Sequence, residues 1–259
     1  MAKYVIDETT LRDIADAIRK HTGLQEEISP VDMPACIQTV HSIGYEEGQK
    51  SEYDARWDII QDNGEASTYG NSCFAGKSWT DSTFKPKHNL ILKGNMSMLF
   101  YSSKITNLCQ CLENAGVTMK CENVTNASQI FSYSQVTHLP VLDFSTVTNA
   151  NSSFGGASKL KSIEKIISGE STKWSSAFDG CSALEHAIFG GVIGTSISFP
   201  NSSLLDDEST QSIIDHLKDL TGQTGQNVIF NATVAERLTQ AQLDAIEDKN
   251  WTLVYSGRN

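Results

Sequence analysis

The sequence predicts an α/β chain: a solenoid of stacked units in the middle, a helical segment before it and an α/β cap after it. Three observations predict this. Phe100, Phe131, Phe154 and Phe178 share one phase, with 23 residues from Phe131 to Phe154 and 24 from Phe154 to Phe178. Two apolar positions three apart follow each of them: Ile105 and Leu108, Val136 and Leu139, Leu160 and Ile163, Leu184 and Ala187. The flanks lose this period and take up helical or alternating patterns. A fixed period of this length marks units that cannot bury an apolar side alone and so cover one another. The boundaries follow: 1–62 helical, 63–205 repeating, 206–259 capping.

The first element is a short helix over 9–21, because Leu11, Ile14, Ala15 and Ile18 fall on one face and Gly23 ends it. A second follows, with Met33, Ile37 and Val40 on its apolar face. Ser29 before Pro30 and Asp32 before Met33 are equally good caps, so its start stays open. A third spans roughly Tyr45 to Gln61, with Tyr53, Trp57 and Ile60 at helical spacing, and Asp62-Asn63-Gly64 stops it. Three short amphipathic helices bury little surface by themselves. They are expected to pack against copies of themselves or a partner.

Residues 63–93 are transitional. Phe74 and Trp79 keep the Phe-plus-five spacing, which suggests a degenerate first unit, since terminal repeats are commonly atypical. Four residues before the Phe residues stand Met96, Ala127, Ala150 and Trp174, and five before stand Asn95, Asn126, Asn149 and Lys173. Each unit is expected to give one short strand around its Leu/Ile pair and a tight turn or short helix near its Phe. Phe100 to Phe131 is 31 residues, so an insertion lies near Cys109–Cys121. In the last part, Ile213, Ile214, Leu217 and Leu220 make one helix face closed by Gly222. Val228 to Phe230 reads as a strand, Thr239 with Gln242 as a capping box over a helix burying Leu243 and Ile246, and Trp251, Leu253 and Tyr255 as a final strand.

Net charge is −11 and uneven. Residues 1–62 carry 13 acidic and 6 basic side chains, 206–259 carry 9 and 4, and 94–200 carry 7 and 6. No basic stripe is present, which argues against nucleic acid and anionic lipid as partners. No apolar run is long enough for a membrane span. The N-terminus has no apolar core or small-residue cleavage site of a secretory signal. A nearly neutral middle rich in Ser, Thr and Asn suits either a solvated face or hydrogen bonding to polar partners such as glycans.

Few residues are candidates for chemistry. Cys109, Cys111 and Cys121 have the wrong spacing for a paired-CxxC zinc site, and with Cys181 they read as small buried hydrophobes. Gly70 to Ser78 resembles a phosphate-binding loop, but the first Gly is one residue early and no buried strand precedes it. The scattered histidines form no catalytic pattern. Asp206-Asp207-Glu208 reads as the anionic start of a helix rather than a calcium site. No paired carboxylates stand out in the repeats, so neither an enzyme nor a cofactor is expected, and no metal ligand set is assigned. Trp79, Tyr101 and Tyr133 are the candidate surface contacts for a receptor, with partial burial at the turns as the alternative.

Two resemblances rest on these residues. VTNANSSFGGASKLKSI (147–163) and TKWSSAFDGCSALEHA (172–187) resemble BspA-type leucine-rich repeats: Phe178, Cys181 and Leu184 match the pattern, while Ala150 and Trp174 depart from its usual Ile. Residues 14–40 and 220–255 are similar to segments of tail and fibre proteins from phages and prophages of Gram-positive bacteria. The resemblance implies a leucine-rich-repeat solenoid in a virion structural protein of tail, fibre or head decoration. Such a protein is assembled in the host cytoplasm and joined to other virion proteins through its N-terminal helices. It would bind a host-surface glycan or protein and form a homo-oligomer, a trimer by analogy with tail fibres. A non-virion bacterial leucine-rich-repeat adhesin or interaction module is the alternative.

Overall fold

The computed structural model describes residues 72, 74–76, 79–86 and 89–256. All of them belong to one compact unit, Ile59–Asn259. The helices expected within 1–62, and Lys77 and Ser78 of the glycine-rich loop, lie outside the described residues.

The first strand, β1 (Leu90–Asn95), pairs in parallel with β2 (Met119–Asn126). Between them lies α1 (Leu108–Ala115), which occupies the insertion. Its start is held by Asn107, whose side chain accepts from the Gln110 N–H, and its end by Gly116 at φ 66°. A second parallel sheet is built on β5 (Ser162–Ser168). On one side of it lie β3 (His138–Leu139) and β4 (Leu142–Phe144), and on the other β6 (His186–Gly191). A third contains β7 (Ile197–Phe199), β8 (Gln226–Asn231) and β9 (Trp251–Ser256), again all parallel.

This arrangement corrects the leucine-rich-repeat solenoid expected from the sequence. The described residues form a mixed α/β fold with three small, separate parallel sheets and few helices. A solenoid of that family needs a strand in every unit, paired with the next along one sheet. Here Pro140, which has no N–H to donate, interrupts the chain between β3 and β4. Register shifts break the β1–β2 ladder after Leu92 and again after Gly94. Strand β2 packs beside β4 without joining its sheet.

The phased Phe residues sit on irregular turns rather than on strands. Two residues before and two after each Phe, the backbone is left-handed: Met98 and Ser102, Gln129 and Tyr133, Ser152 and Gly156, Ser176 and Gly180. Ser72 and Gly76 do the same around Phe74. Alternate N–H groups close local bonds, such as Leu99 to Met96 and Tyr101 to Met98. The others reach the following turn: Phe100 N–H donates to the Ile130 carbonyl at 2.8 Å, Phe131 to Ser153 at 2.7 Å and Phe154 to Ala177 at 2.9 Å. The Asn residues five before each Phe now have a purpose. Asn95, Asn126 and Asn149 accept from the N–H groups of Ser97, Ser128 and Asn151 at 3.0–3.1 Å, fixing the entry to the turn. The Lys173 side chain cannot accept a hydrogen bond, and Asn151 from the preceding turn accepts from the Ser175 N–H instead.

The rings of Phe100, Phe131, Phe154 and Phe178 are buried and stacked, with neighbouring centroids 5.1, 6.0 and 5.0 Å apart. Phe74 extends the column at one end, and Phe199 and Phe230 at the other. Offset aromatic pairs add to the area they bury, and this column is the spine of the core. Trp174 stacks against Phe178 and Phe144 and meets Phe189 edge-on, which explains why a Trp replaces the smaller residues at its position.

Beyond β7 the chain forms α2 (Asp207–Asp215), capped by Asp206. This helix stops short of the expected face: Leu217 and Leu220 are buried outside it. Pairing wins over helix continuation there, because the Ile193 N–H donates to the His216 carbonyl and the Lys218 N–H returns to Ile193. After β8 come one turn of helix, α3 (Ala232–Ala235), and α4 (Gln240–Asp248), which opens with the Thr239–Gln242 capping box and buries Ile246.

Candidate functional site

Two of the three aromatic residues singled out in the sequence meet on one surface. Tyr133 is 60% exposed, and the half-buried Tyr101 ring approaches it edge-on with centroids 5.8 Å apart. Trp79 does not join them. It is fully buried, packed edge-on against Phe74 at 5.2 Å, so the expected surface role of Trp79 is corrected to a core role. Its indole continues the aromatic cluster at the Phe74 end of the column.

The turn geometry sets the Tyr pair. Tyr101 follows Phe100 by one residue and Tyr133 follows Phe131 by two, so buried rings anchor both. The position two after each Phe holds Gly76, Gly156 and Gly180 at three levels and Ser102 at another, all with positive φ. Tyr133 takes that backbone at φ 55°, where its Cβ crowds the following carbonyl at a cost of about 1 kcal/mol relative to glycine. Gly156, on the next turn, provides the floor. A Cβ on Gly156 would fall 2.5 Å from the Tyr133 ring carbons, so the ring lies directly on the bare glycine backbone. Neither tyrosine hydroxyl hydrogen-bonds within the described residues. The result is an apolar ring pair with two spare hydroxyls, next in the chain to the buried Ser132, whose hydroxyl donates to the Ser152 carbonyl.

The other sequence candidates are structural. Asp206 accepts from the Ser209 N–H at 2.8 Å with one oxygen and contacts His186 Nδ1 at 2.7 Å with the other. Burial would raise its carboxyl, but the hydrogen bonds from Ser209 and His186 outweigh that and hold it below the ordinary value. Asp81 does similar work ahead of α1. Burial pushes its carboxyl up, and hydrogen bonds from the Thr106 hydroxyl and the Thr106 and Asn107 N–H groups bring it lower. The thiols are poor nucleophiles. Burial pushes Cys121 and Cys181 up to about 12 and, with the Asp81 charge, Cys111 up to about 11. Among the described residues no group of three or more His, Cys, Asp or Glu is placed to hold a metal ion, and no helix is long and apolar enough to cross a membrane.

Comparison with protein-family models, with curated proteins and with solved structures gives no match for this chain.

Proposed function

We propose that this chain is a structural protein of a phage virion and that the Tyr101–Tyr133 face binds a carbohydrate on the host surface. The resemblance of residues 14–40 and 220–255 to phage tail and fibre proteins supports the virion assignment. One observation carries the binding assignment: an aromatic ring stands 60% exposed in a strained backbone position where three other turns use glycine. Strain retained at an exposed residue adds nothing to the core and points to use at the surface. The exposed Tyr133 ring, with Tyr101 edge-on beside it, offers an apolar face for the C–H face of a sugar ring, and the two hydroxyls suit the sugar's polar rim.

The test measures binding of the labelled full-length chain to host cells and to isolated cell-wall polysaccharide. Tyr133→Gly should lose most of the binding while melting at the same or a higher temperature, because glycine relieves the left-handed strain. Tyr101→Ala should weaken binding with little change in melting. Binding through this face should vary little with salt, since residues 94–200 are nearly neutral, with 7 acidic and 6 basic side chains. Full binding by Tyr133→Gly would remove the carbohydrate assignment. Absence of the chain from purified virions by mass spectrometry would remove the virion assignment.

A further inference from the structure

We infer that a second site, a donor-rich cleft between the Phe178 turn and the β7–β8 strands, binds an acidic sugar, with its anionic group beside Lys173. The inference does not rest on the tyrosine face. The cleft is about 480 Å³, within the range of small-molecule sites. It opens where the turn-to-turn hydrogen bonding runs out. At the four preceding turns the N–H two before the Phe donates to the next turn: Ser72 to Ser97, Met98 to Ser128, Gln129 to Asn151 and Ser152 to Ser175. The equivalent Ser176 N–H has no acceptor among the described residues, because the next segment, 195–198, leaves the turn path and enters β7. Ser176 and Ser196 both line the cleft that results.

The other lining groups are mostly donors. Asn151 uses its carbonyl oxygen for the Ser175 N–H, and Gln226 uses its own for the Ser196 N–H and hydroxyl, so both amide NH₂ groups are spare. The hydroxyls of Ser175, Ser176 and Ser198 make no hydrogen bond within the described residues. Lys173 is exposed, lines the cleft and forms no ion pair among the described residues. Among the described residues no carboxylate lines it. In a chain of net charge −11, a cleft with one cation, no acid and a surplus of N–H donors selects for a negative group. The three hydroxyls, which both donate and accept, suit the hydroxyl-bearing ring to which that group is attached.

Carboxylate and phosphate present the same acceptor chemistry, so the test carries both. Calorimetry and amide NMR on the full chain would use glucuronic acid, glucose 1-phosphate, glucose and inorganic phosphate as probes. At least one acidic sugar should bind with a Kd on the order of a millimolar, roughly tenfold tighter than glucose. It should shift the amides of Ser176, Ser196 and Gln226. Which of the two acids binds better identifies the source of the anion. Added salt should weaken the binding, and Lys173→Gln, at an exposed position, should bring the acid down to the glucose level. Tyr133→Gly should leave it unchanged, which separates this site from the tyrosine face. Equal affinity for glucose, inorganic phosphate binding as tightly as the sugar phosphate, full binding by Lys173→Gln, or no binding by either acid at about 100 mM, a hundredfold above a millimolar Kd, would each overturn the assignment.

Discussion

At the scale of single residues, the side chain that fixes a corner and the side chain that could meet a partner lie only one or two positions apart. Phe131 is buried, and Tyr133, two residues later, is exposed. Asp206 shows the structural kind of polar residue. It caps α2 and touches His186, and its carboxyl is held below its ordinary value. A depressed carboxylate stabilises the fold above its unfolded pKa of about 3.9, and that contribution is lost as pH falls through the lower folded value. Asp206→Asn keeps a capping side chain but removes the charge. Its melting temperature should therefore lie below wild type at pH 6, and the gap should close as pH drops below about 4. A gap that persists at pH 2 would mean the charge is not what stabilises the cap. The sequence showed Asp206 as a helix start, but its His186 partner, 20 residues away, could not be seen without the fold.

At the scale of elements, what was legible depended on how local the signal was. The Thr239–Gln242 capping box is a local signal, and the helix begins where it says. Helix α1 also carries local signals, Asn107 before it, Leu108, Cys111 and Leu112 on one face, and Gly116 after it, which the expectation of a plain insertion passed over. Leu217 and Leu220 were misassigned because their helical spacing competes with distant partners: Leu217 pairs with Ile193, and the Leu220 N–H donates to the Lys249 carbonyl. The left-handed corners were invisible because Met98, Gln129 and Tyr133 are not residues that announce such a backbone. Trp79 could not be placed by spacing alone, since a turn-flanking aromatic can face either way. The four phased Phe residues are the clearest local pattern, and each ring contacts the next. Phe154→Ala should cost about 3–5 kcal/mol, because it opens a cavity between two neighbouring rings in the middle of the column. Denaturant unfolding at 25 °C would measure it. A loss under about 1 kcal/mol would show that the turns hold together without the rings.

At the scale of the whole molecule, the acidic N-terminal region and the described body divide the work in the proposed virion role. Residues 1–62 are short, amphipathic and acidic, and are the part expected to attach and oligomerise. Deleting them should leave the Phe column folded, monomeric by light scattering and absent from particles. A deletion variant that remains an oligomer would place the self-association in the body. A trimer is the expected state of the full chain, and sedimentation equilibrium would test it. The unbroken leucine-rich-repeat architecture was the part of the fold that the sequence misjudged. Period alone specifies what recurs, and it does not say whether the recurring backbone is a strand or a left-handed turn.

The direction of the bonds between successive Phe turns has an electrostatic consequence. In an α-helix each N–H donates to an earlier carbonyl, so unmatched donors gather at the amino end and the dipole is positive there. Within the Phe corners the inter-turn bonds run the other way, from an earlier N–H to a later carbonyl: Met96 to Asn126, Ala127 to Asn149, Ala150 to Lys173, while flanking residues such as Thr148 and Lys173 donate back to Thr125 and Thr148. The corner peptides that make these bonds therefore turn their N–H ends toward the carboxyl side of the stack. The last of them face the cleft at Ser176, where Lys173 adds its charge, and the Asn201 side chain accepts the N–H of Gly180.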